Sequence, residues 1–345
     1  MAIKAAPRVR SDAVPLRTFR SRGRPVAITG LGVHAPEKVL TNQDLERMVE
    51  TSDQWITERT GIKRRHVAEP GTTTFSLAAE ASRKALAGSA VRPEELDMIL
   101  VSTSTPDGPF PSVACRVQNE LGVPGAVAMD LLAACTGFVY ALSVAESYVS
   151  SGRADTVLVI GAEVLSRYVN WKDRGTCVLF ADGAAAAVLR PAERGGGFRA
   201  WCLGSDGRGY DQITCGNVAR GGFSAGEVEP KIGMKGPDVF KFATDIFIRQ
   251  AFAVAEEAGI AVEDIDLFVP HQANSRIIEA AARRVGLPLE RVMVNIDEYG
   301  NTSTATIGLA LHDALAQGRL EPGDRVLIAG FGSGLTWGAC LLEWE

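Results

Sequence analysis

Long apolar runs are missing: nothing in the 345 residues approaches the roughly 18 consecutive apolar side chains of a membrane-spanning helix. Paired cysteines are missing too. The six present, Cys115, Cys135, Cys177, Cys202, Cys215 and Cys340, form no CxxC motif, which argues against the usual zinc and thioredoxin-type sites. No apolar signal segment precedes them, so a disulfide framework is not expected and most should be buried, inert thiols. A basic excess is also lacking: 36 Lys+Arg stand against 41 Asp+Glu, net -5, whereas a nucleic-acid binder needs a clearly basic balance. What remains, 46% hydrophobic and 22% charged, is the composition of a soluble globular protein, expected in the cytoplasm and long enough for two halves.

The charge is unevenly placed. Residues 1–24 carry seven basic side chains (Lys4, Arg8, Arg10, Arg17, Arg20, Arg22, Arg24) and a single acid, Asp12. That leaves 29 basic against 40 acidic side chains in the other 321 residues. A basic, Pro-containing stretch with no apolar period reads as an unstructured extension.

The rest of the chain repeats itself. Glu95-Leu96-Asp97-Met98-Ile99-Leu100-Val101-Ser102 matches Asp264-Ile265-Asp266-Leu267-Phe268-Val269-Pro270-His271, each an acid followed by a short apolar run suited to a buried strand. Helical stretches then stop at Gly122-Val123-Pro124 and Gly286-Leu287-Pro288. Second strands are expected at Val127 to Leu131 and at Val292 to Ile296, leading to Cys135 and Asn301. Cys135 to Gly152 and Asn301 to Gly318 are both steps of 17 residues, each crossing a helix rich in small side chains. The strands Val157 to Gly161 and Val326 to Gly330 close the match. Strand and helix alternating twice over predict a duplicated, layered α/β protein with parallel strands, its halves at 25–195 and 196–345.

The repeat makes Cys135 and Asn301 equivalent, and equivalent positions meet near a pseudo-twofold axis. Cys135, in Ala133-Ala134-Cys135-Thr136-Gly137, sits at a strand-to-helix turn of small residues where helix-end N–H groups favour a thiolate. His271, in Pro270-His271-Gln272-Ala273-Asn274, falls at a strand's carboxyl end, where ligands bind in parallel sheets. Each alone has a plain alternative: a buried structural cysteine, a satisfied core histidine, an Asn that only caps a turn. Together they form a Cys, His, Asn constellation. The run Gly330-Phe331-Gly332-Ser333-Gly334 is either a tight turn or a loop that aims N–H groups at an oxyanion. Gly30-Leu31-Gly32-Val33-His34-Ala35 fits a dinucleotide fingerprint, but Pro36 is badly placed for the helix that motif must open, and that reading is rejected. Arg276, Arg283 and Arg284 share one helix face, either solvated or a site for an acidic partner.

With those residues in place, the chain from about Arg24 onward resembles the β-ketoacyl-acyl carrier protein synthase III family. The resemblance rests on Thr51-Ser52-Asp53-Gln54-Trp55-Ile56 with Arg59-Thr60-Gly61-Ile62, then Ala133-Ala134-Cys135, Pro270-His271-Gln272-Ala273-Asn274, Gly300-Asn301-Thr302-Ser303 and Leu335-Thr336-Trp337-Gly338. It implies a thiolase-like fold of two βαβαβ halves in five α-β-α-β-α layers, and a homodimer. It implies that Cys135 takes an acyl group from acyl-CoA, and that His271 and Asn301 stabilise the enolate formed when malonyl-acyl carrier protein loses CO2. The N–H groups of Cys135 and Ser333 become the oxyanion hole, with Ser333 where the family generally has Gly.

For CoA the resemblance implies Trp55 and Arg174 around the adenine, Arg59 and Asn274 along the phosphate and pantetheine path, and Thr51 near the nucleotide. Pro237 stands where the family often has Asn. Phe110 resembles the residue that closes the partner's acyl pocket, and its size suggests a short primer. Lys241, Arg276, Arg283 and Arg284 match the patch that docks the acidic carrier protein. Acyl-CoA is a substrate, so no resident cofactor, metal, nucleic acid or membrane partner is expected. Three rivals remain: starter-unit loading in secondary metabolism, a Cys, His, Asn acyltransferase or thioester hydrolase without decarboxylation, and an inactive partner subunit.

Overall fold

The structure, a computed structural model, describes residues 14–216 and 231–345. In chain order the strands begin with β1 (Arg17–Arg20), β2 (Val26–His34), β3 (Val39–Thr41), β4 (Arg64–His66), β5 (Met98–Ser102), β6 (Val127–Leu131) and β7 (Val157–Val164). They continue with β8 (Asp182–Pro191), β9 (Gly197–Ser205), β10 (Ile213–Cys215), β11 (Ile232–Met234), β12 (Leu267–Pro270), β13 (Arg325–Gly332) and β14 (Thr336–Glu343). Two five-stranded sheets run in the orders β2-β8-β7-β5-β6 and β1-β9-β14-β13-β12.

The duplication is visible in that order. Setting β5 on β12, β7 on β13, β8 on β14 and β2 on β9 superimposes the two topologies. In each half the sequence-matched pair, β5 with β7 and β12 with β13, is parallel. The next strand, β8 or β14, returns antiparallel. β5 and β7 are buried along their whole length, the expected state of strands covered on both faces.

Helices Gly137–Ser150 and Thr306–Ala316 lie between the sheets and share one apolar core with both. Thr74–Ser89 and Val113–Leu121 cover the outer face of the first sheet, and Gly236–Ala258 and Ser275–Val285 that of the second. The result is the expected α-β-α-β-α stack. Gly122 and Gly286 cap their helices in the left-handed region, with φ of 69° and 92°.

Where the halves cross, equivalent glycines admit the opposite half. A Cβ on Gly161, in the middle of β7, would lie 2.4 Å from the Thr304 carbonyl oxygen. At Gly330, on β13, the nearest atoms include Cys135 O at 3.5 Å and Thr136 Cα at 3.7 Å. Each half thus presses a small residue onto the loop of the other that holds Cys135 or Asn301.

Three expectations need correction. The basic stretch is not unstructured to residue 24: β1 pairs antiparallel with β9, so Arg17–Arg20 extends the sheet of the second half. Thr18 Oγ1 donates to Glu257 Oε2 at 2.6 Å, and Arg24 bonds Val149 O and pairs with Asp155. Val14 and Leu16 pack on the second core. An edge strand tolerates basic side chains that a composition argument assigns to coil. Residues 1–13 lie outside the described residues.

The strand expected at Val292 to Ile296 shrinks to a single bridge, Phe268 to Val292, and Ile296 already opens a short helix. There the buried Gln272 side chain replaces ladder bonds, Nε2 donating to Met293 O and Oε1 accepting from Asn295 N–H.

All six cysteines are free as expected, but only Cys177, Cys202 and Cys340 are buried, with Cys115 and Cys215 exposed. Gly30 and Gly32 serve packing: β2 runs through both, and a Cβ on either would strike the backbone of the helix carrying Ala85.

Candidate active site

A cavity of about 210 Å³ opens where the two halves meet. Its deep end is lined by Cys135, His271 and Asn301, and its outer end by Trp55, Arg59 and Arg174. The three residues singled out from the repeat therefore share one wall, although 166 residues separate Cys135 from Asn301 in the chain.

Cys135 sits in the one-turn 3-10 segment Ala134–Thr136 leading into helix Gly137–Ser150. Ala134 holds φ 47°, a left-handed conformation that costs a non-glycine residue on the order of 1 kcal/mol. The turn is tied to β14 through Thr136 Oγ1 and Thr336 Oγ1 at 2.8 Å. Gly332 presses on it so closely that a Cβ there would lie 2.9 Å from Cys135 N.

The helix start does not win the electrostatic contest. Burial pushes the Cys135 thiol up to about 12; a hydrogen bond with Ser303 works against the rise, and Glu163 adds to it. Resting Cys135 is a thiol, and its proton has to leave as the sulfur reacts.

His271 follows β12, its N–H bonded to Ala329 O at 2.8 Å, and is 1% exposed. Nδ1 lies 2.6 Å from Thr306 Oγ1, and Phe331 meets the ring edge-on at 5.4 Å. Burial lowers its pKa to about 3. The unfolded ring takes a proton below its ordinary 6.5 and the folded ring does not, so this group's contribution to stability is full above pH 6.5 and is lost as pH falls through 3. In a two-dimensional NMR titration the His271 ring signals are therefore expected to stay fixed from pH 8 to pH 5; an inflection near 6.5 would contradict a neutral, desolvated ring.

Asn301 is clamped by its backbone, N–H donating to Leu179 O at 3.0 Å and O accepting from Ala181 N–H at 2.9 Å. Its Oδ1 accepts from Ser303 N–H at 2.9 Å, which leaves Nδ2 as the donor for a ligand. The plain turn-capping role is thus met, and the cap fixes the amide's orientation.

Glu163 was not singled out, although one carboxylate inside the apolar strand β7 was a readable signal. It is fully buried and accepts from Thr105 Oγ1 at 2.7 Å, Ser104 N–H at 3.1 Å and Ser303 Oγ at 3.2 Å. Burial raises it to about 7 against those hydrogen bonds. Its stability contribution runs opposite to that of His271, full below its ordinary 4.5 and lost as pH rises through 7.

At the mouth, Trp55 lies on helix Asp53–Thr60, with the Arg174 and Arg59 guanidinium carbons 5.3 Å and 6.0 Å from its ring centroid. A flat ligand between Trp55 and Arg174 requires the exposed arginine to swing outward. Asn274 lines the cavity and joins two helices, Oδ1 accepting from Arg276 N–H and Nδ2 donating to Arg59 O, both at 2.9 Å.

Several named residues stand outside the cavity lining. Thr51 precedes that first helix, its hydroxyl buried without a hydrogen-bond partner. Ser333 Oγ donates to Ile213 O at 2.6 Å, while its neighbour Gly332 lines the cavity. Pro237 starts helix Gly236–Ala258, where its missing N–H costs nothing. Phe110 is 83% exposed. Lys241, Arg276, Arg283 and Arg284 are exposed on the two packed helices beside the mouth. Arg283 reaches Glu279 at 3.5 Å, and Arg276 lies 5.8 Å from the Phe240 ring. The apolar wall, including Val178, Phe180, Ile213, Met234 and Phe240, was not legible beforehand because segments far apart in the chain supply it.

A doubled five-layer fold with a cysteine, a histidine and an asparagine on one cavity between its halves defines an acyl-transferring condensing enzyme of the thiolase class. Residues 129–207 match the family 3-Oxoacyl-[acyl-carrier-protein (ACP)] synthase III, and residues 255–344 match its C-terminal part. A beta-ketoacyl-[acyl-carrier-protein] synthase III of Desulfitobacterium hafniense is 48% identical over 324 residues, covering 93% of this chain and 98% of that one.

The crystal structure of the Aquifex aeolicus 3-oxoacyl-[acyl-carrier-protein] synthase III superimposes with a TM-score of 0.88 at 45% identity, covering 92% of this chain and all of that one. The priming β-ketosynthase of the R1128 polyketide pathway has the same TM-score at 35% identity, covering 95% and 99%. This chain belongs to the 3-oxoacyl-[acyl-carrier-protein] synthase III family.

Proposed function

We propose that this protein joins a short acyl-CoA primer to malonyl-acyl carrier protein with loss of CO2, giving 3-ketoacyl-acyl carrier protein and initiating type II fatty acid synthesis. The observation that carries the residue assignment is the convergence of Cys135, His271 and Asn301 on one cavity. Cys135 Sγ attacks the acyl-CoA carbonyl, with the oxyanion facing the N–H groups of Cys135 and Ser333. CoA leaves as the thiol, carrying the proton that Cys135 loses, and the acyl group stays on sulfur.

In the second half-reaction the bond from the malonyl carbon to its carboxylate breaks. The electron pair enters an enolate whose oxygen accepts hydrogen bonds from His271 Nε2 and Asn301 Nδ2. A neutral histidine suits this role, since it donates without having to be protonated first. The carbanion attacks acyl-Cys135, and the sulfur leaves and recovers a proton. Trp55, Arg59, Arg174 and Asn274 line the channel proposed for CoA, with Thr51 behind it.

The same reading includes a homodimer. β6 is a sheet edge, and Val127, Met129, Leu132 and Phe110 are exposed apolar residues on it and near it. Pairing two such edges removes both the open backbone and the apolar patch, and would carry Phe110 to the partner's acyl cavity. The absence of any helix long and apolar enough to cross a membrane among the described residues accords with a cytoplasmic enzyme.

The test is CO2 release and 3-ketoacyl product from acetyl-CoA, isobutyryl-CoA and longer acyl-CoAs with malonyl-acyl carrier protein. Condensation with the short primers is expected to exceed that with the long ones. Acylation of Cys135 without condensation from any primer would instead favour an acyltransferase, and product restricted to unusual primers would favour starter-unit loading.

Carrier docking through Lys241, Arg276, Arg283 and Arg284 makes a separate prediction. Arg276→Glu with Arg283→Glu is expected to raise KM for malonyl-acyl carrier protein by about tenfold or more at low salt, with acyl-CoA saturation unchanged. Raising ionic strength should narrow the gap between variant and wild type.

A further inference from the structure

His271 can donate from Nε2 only if its single proton sits there, and something must hold it there. Neutral imidazole has one N–H and one bare nitrogen, and the partner of one nitrogen decides the state of the other. Among the described residues the one hydrogen-bonding partner recorded for Nδ1 is Thr306 Oγ1, at 2.6 Å. No carboxylate or backbone carbonyl contacts that nitrogen in the described residues, so the hydroxyl sets the tautomer.

The hydroxyl has one hydrogen and two acceptors in reach: His271 Nδ1 at 2.6 Å and Ser303 O at 3.0 Å. The second does not need it. Ser303 O already accepts the backbone N–H of Thr306, which closes the 3-10 turn Ser303–Ala305. Nδ1, in a ring 1% exposed, meets no other donor among the described residues, and leaving a buried nitrogen bare is costly. Thr306 is itself 1% exposed and begins helix Thr306–Ala316, so the helix fixes the hydroxyl's position.

We propose that Thr306 is a positioning residue: its hydroxyl donates to His271 Nδ1, which places the ring proton on Nε2, toward the cavity. The loop that carries Asn301 thereby sets both donors of the site, one directly and one through the histidine. The opposite arrangement, Nδ1–H donating to Thr306, would turn a lone pair toward the enolate oxygen and repel it. The catalytic consequence rests on the donor role given to His271 above; the tautomer itself does not.

The experiment is long-range 15N–1H correlation NMR of histidine-labelled full-length protein without substrate, beside single-turnover assays of Cys135 acylation and of condensation. In the wild type, His271 is expected to show a protonated Nε2 and a bare Nδ1. Thr306→Val keeps the shape and removes the hydroxyl; it should shift the ring toward the Nδ1–H form and slow condensation by about 10- to 100-fold, acylation falling less. Thr306→Ser should restore both signal and rate.

A wild-type ring protonated on Nδ1, or a Thr306→Val ring still protonated on Nε2 with an unchanged condensation rate, overturns the proposal. Because the NMR signature is read on the free enzyme, it stands or falls separately from whether condensation is the reaction.

Discussion

Cys135→Ala is expected to abolish acyl-enzyme formation and to lower condensation by a factor on the order of 10⁴ or more. No second nucleophile stands in for it. Among the described residues that line the cavity Cys135 is the only cysteine, and Ser303 Oγ, which hydrogen-bonds the sulfur, already donates to the buried Glu163. Mass spectrometry after incubation with acetyl-CoA should show an acetyl adduct on the wild type and none on the variant.

Decarboxylation of malonyl-acyl carrier protein should persist in Cys135→Ala at a measurable rate. The two donors proposed to stabilise the enolate, His271 and Asn301, are untouched by the substitution. CO2 release without 3-ketoacyl product would thus separate the half-reactions. An acyl adduct retained on the variant would remove Cys135 from the mechanism.

The second large effect is expected at those donors. His271→Ala and Asn301→Ala should each reduce decarboxylation by about 10²- to 10³-fold, the usual cost of deleting one preorganised donor, roughly 3–4 kcal/mol of transition-state stabilisation. Acylation of Cys135 should fall much less, because the oxyanion at that step is proposed to face backbone N–H groups. The two donors serve one oxygen, so the double variant should lose less than the product of the single losses. Burst kinetics with acyl-CoA, followed by malonyl-acyl carrier protein, resolve the two steps. Equal losses in both half-reactions would show instead that the substitutions had damaged the cavity as a whole.

Asn301 carries a particular risk in such a test, because its Oδ1 also organises Ser303 N–H. Asn301→Asp preserves that acceptor while replacing the donor with an oxygen. A loss of decarboxylation in Asn301→Asp with acylation intact would assign the effect to the missing N–H and not to the loop.

Much of the fold was legible because it repeats. The apolar strands at Met98 to Ser102 and Leu267 to Pro270 announce themselves by composition, and the equal spacing from Cys135 to Gly152 and from Asn301 to Gly318 aligns the halves. The errors have local causes. β1 was hidden because edge strands accept charge, and the bridge at Val292 was overcalled because an apolar run does not reveal that Gln272 takes its hydrogen bonds.

The sequence by itself determined the α/β alternation, the duplication, the pairing of Cys135 with Asn301 and the place of His271 at a strand's end. Those follow from short-range periodicity and from symmetry, which a linear chain records. Only the tertiary structure decided the charge states and proton positions. The thiol of Cys135 stays protonated and the ring of His271 stays neutral because both are desolvated by segments distant in the chain. Burial of that kind is a property of the packed halves, and so is the contact from Thr306 to Nδ1 that crosses 35 residues of sequence.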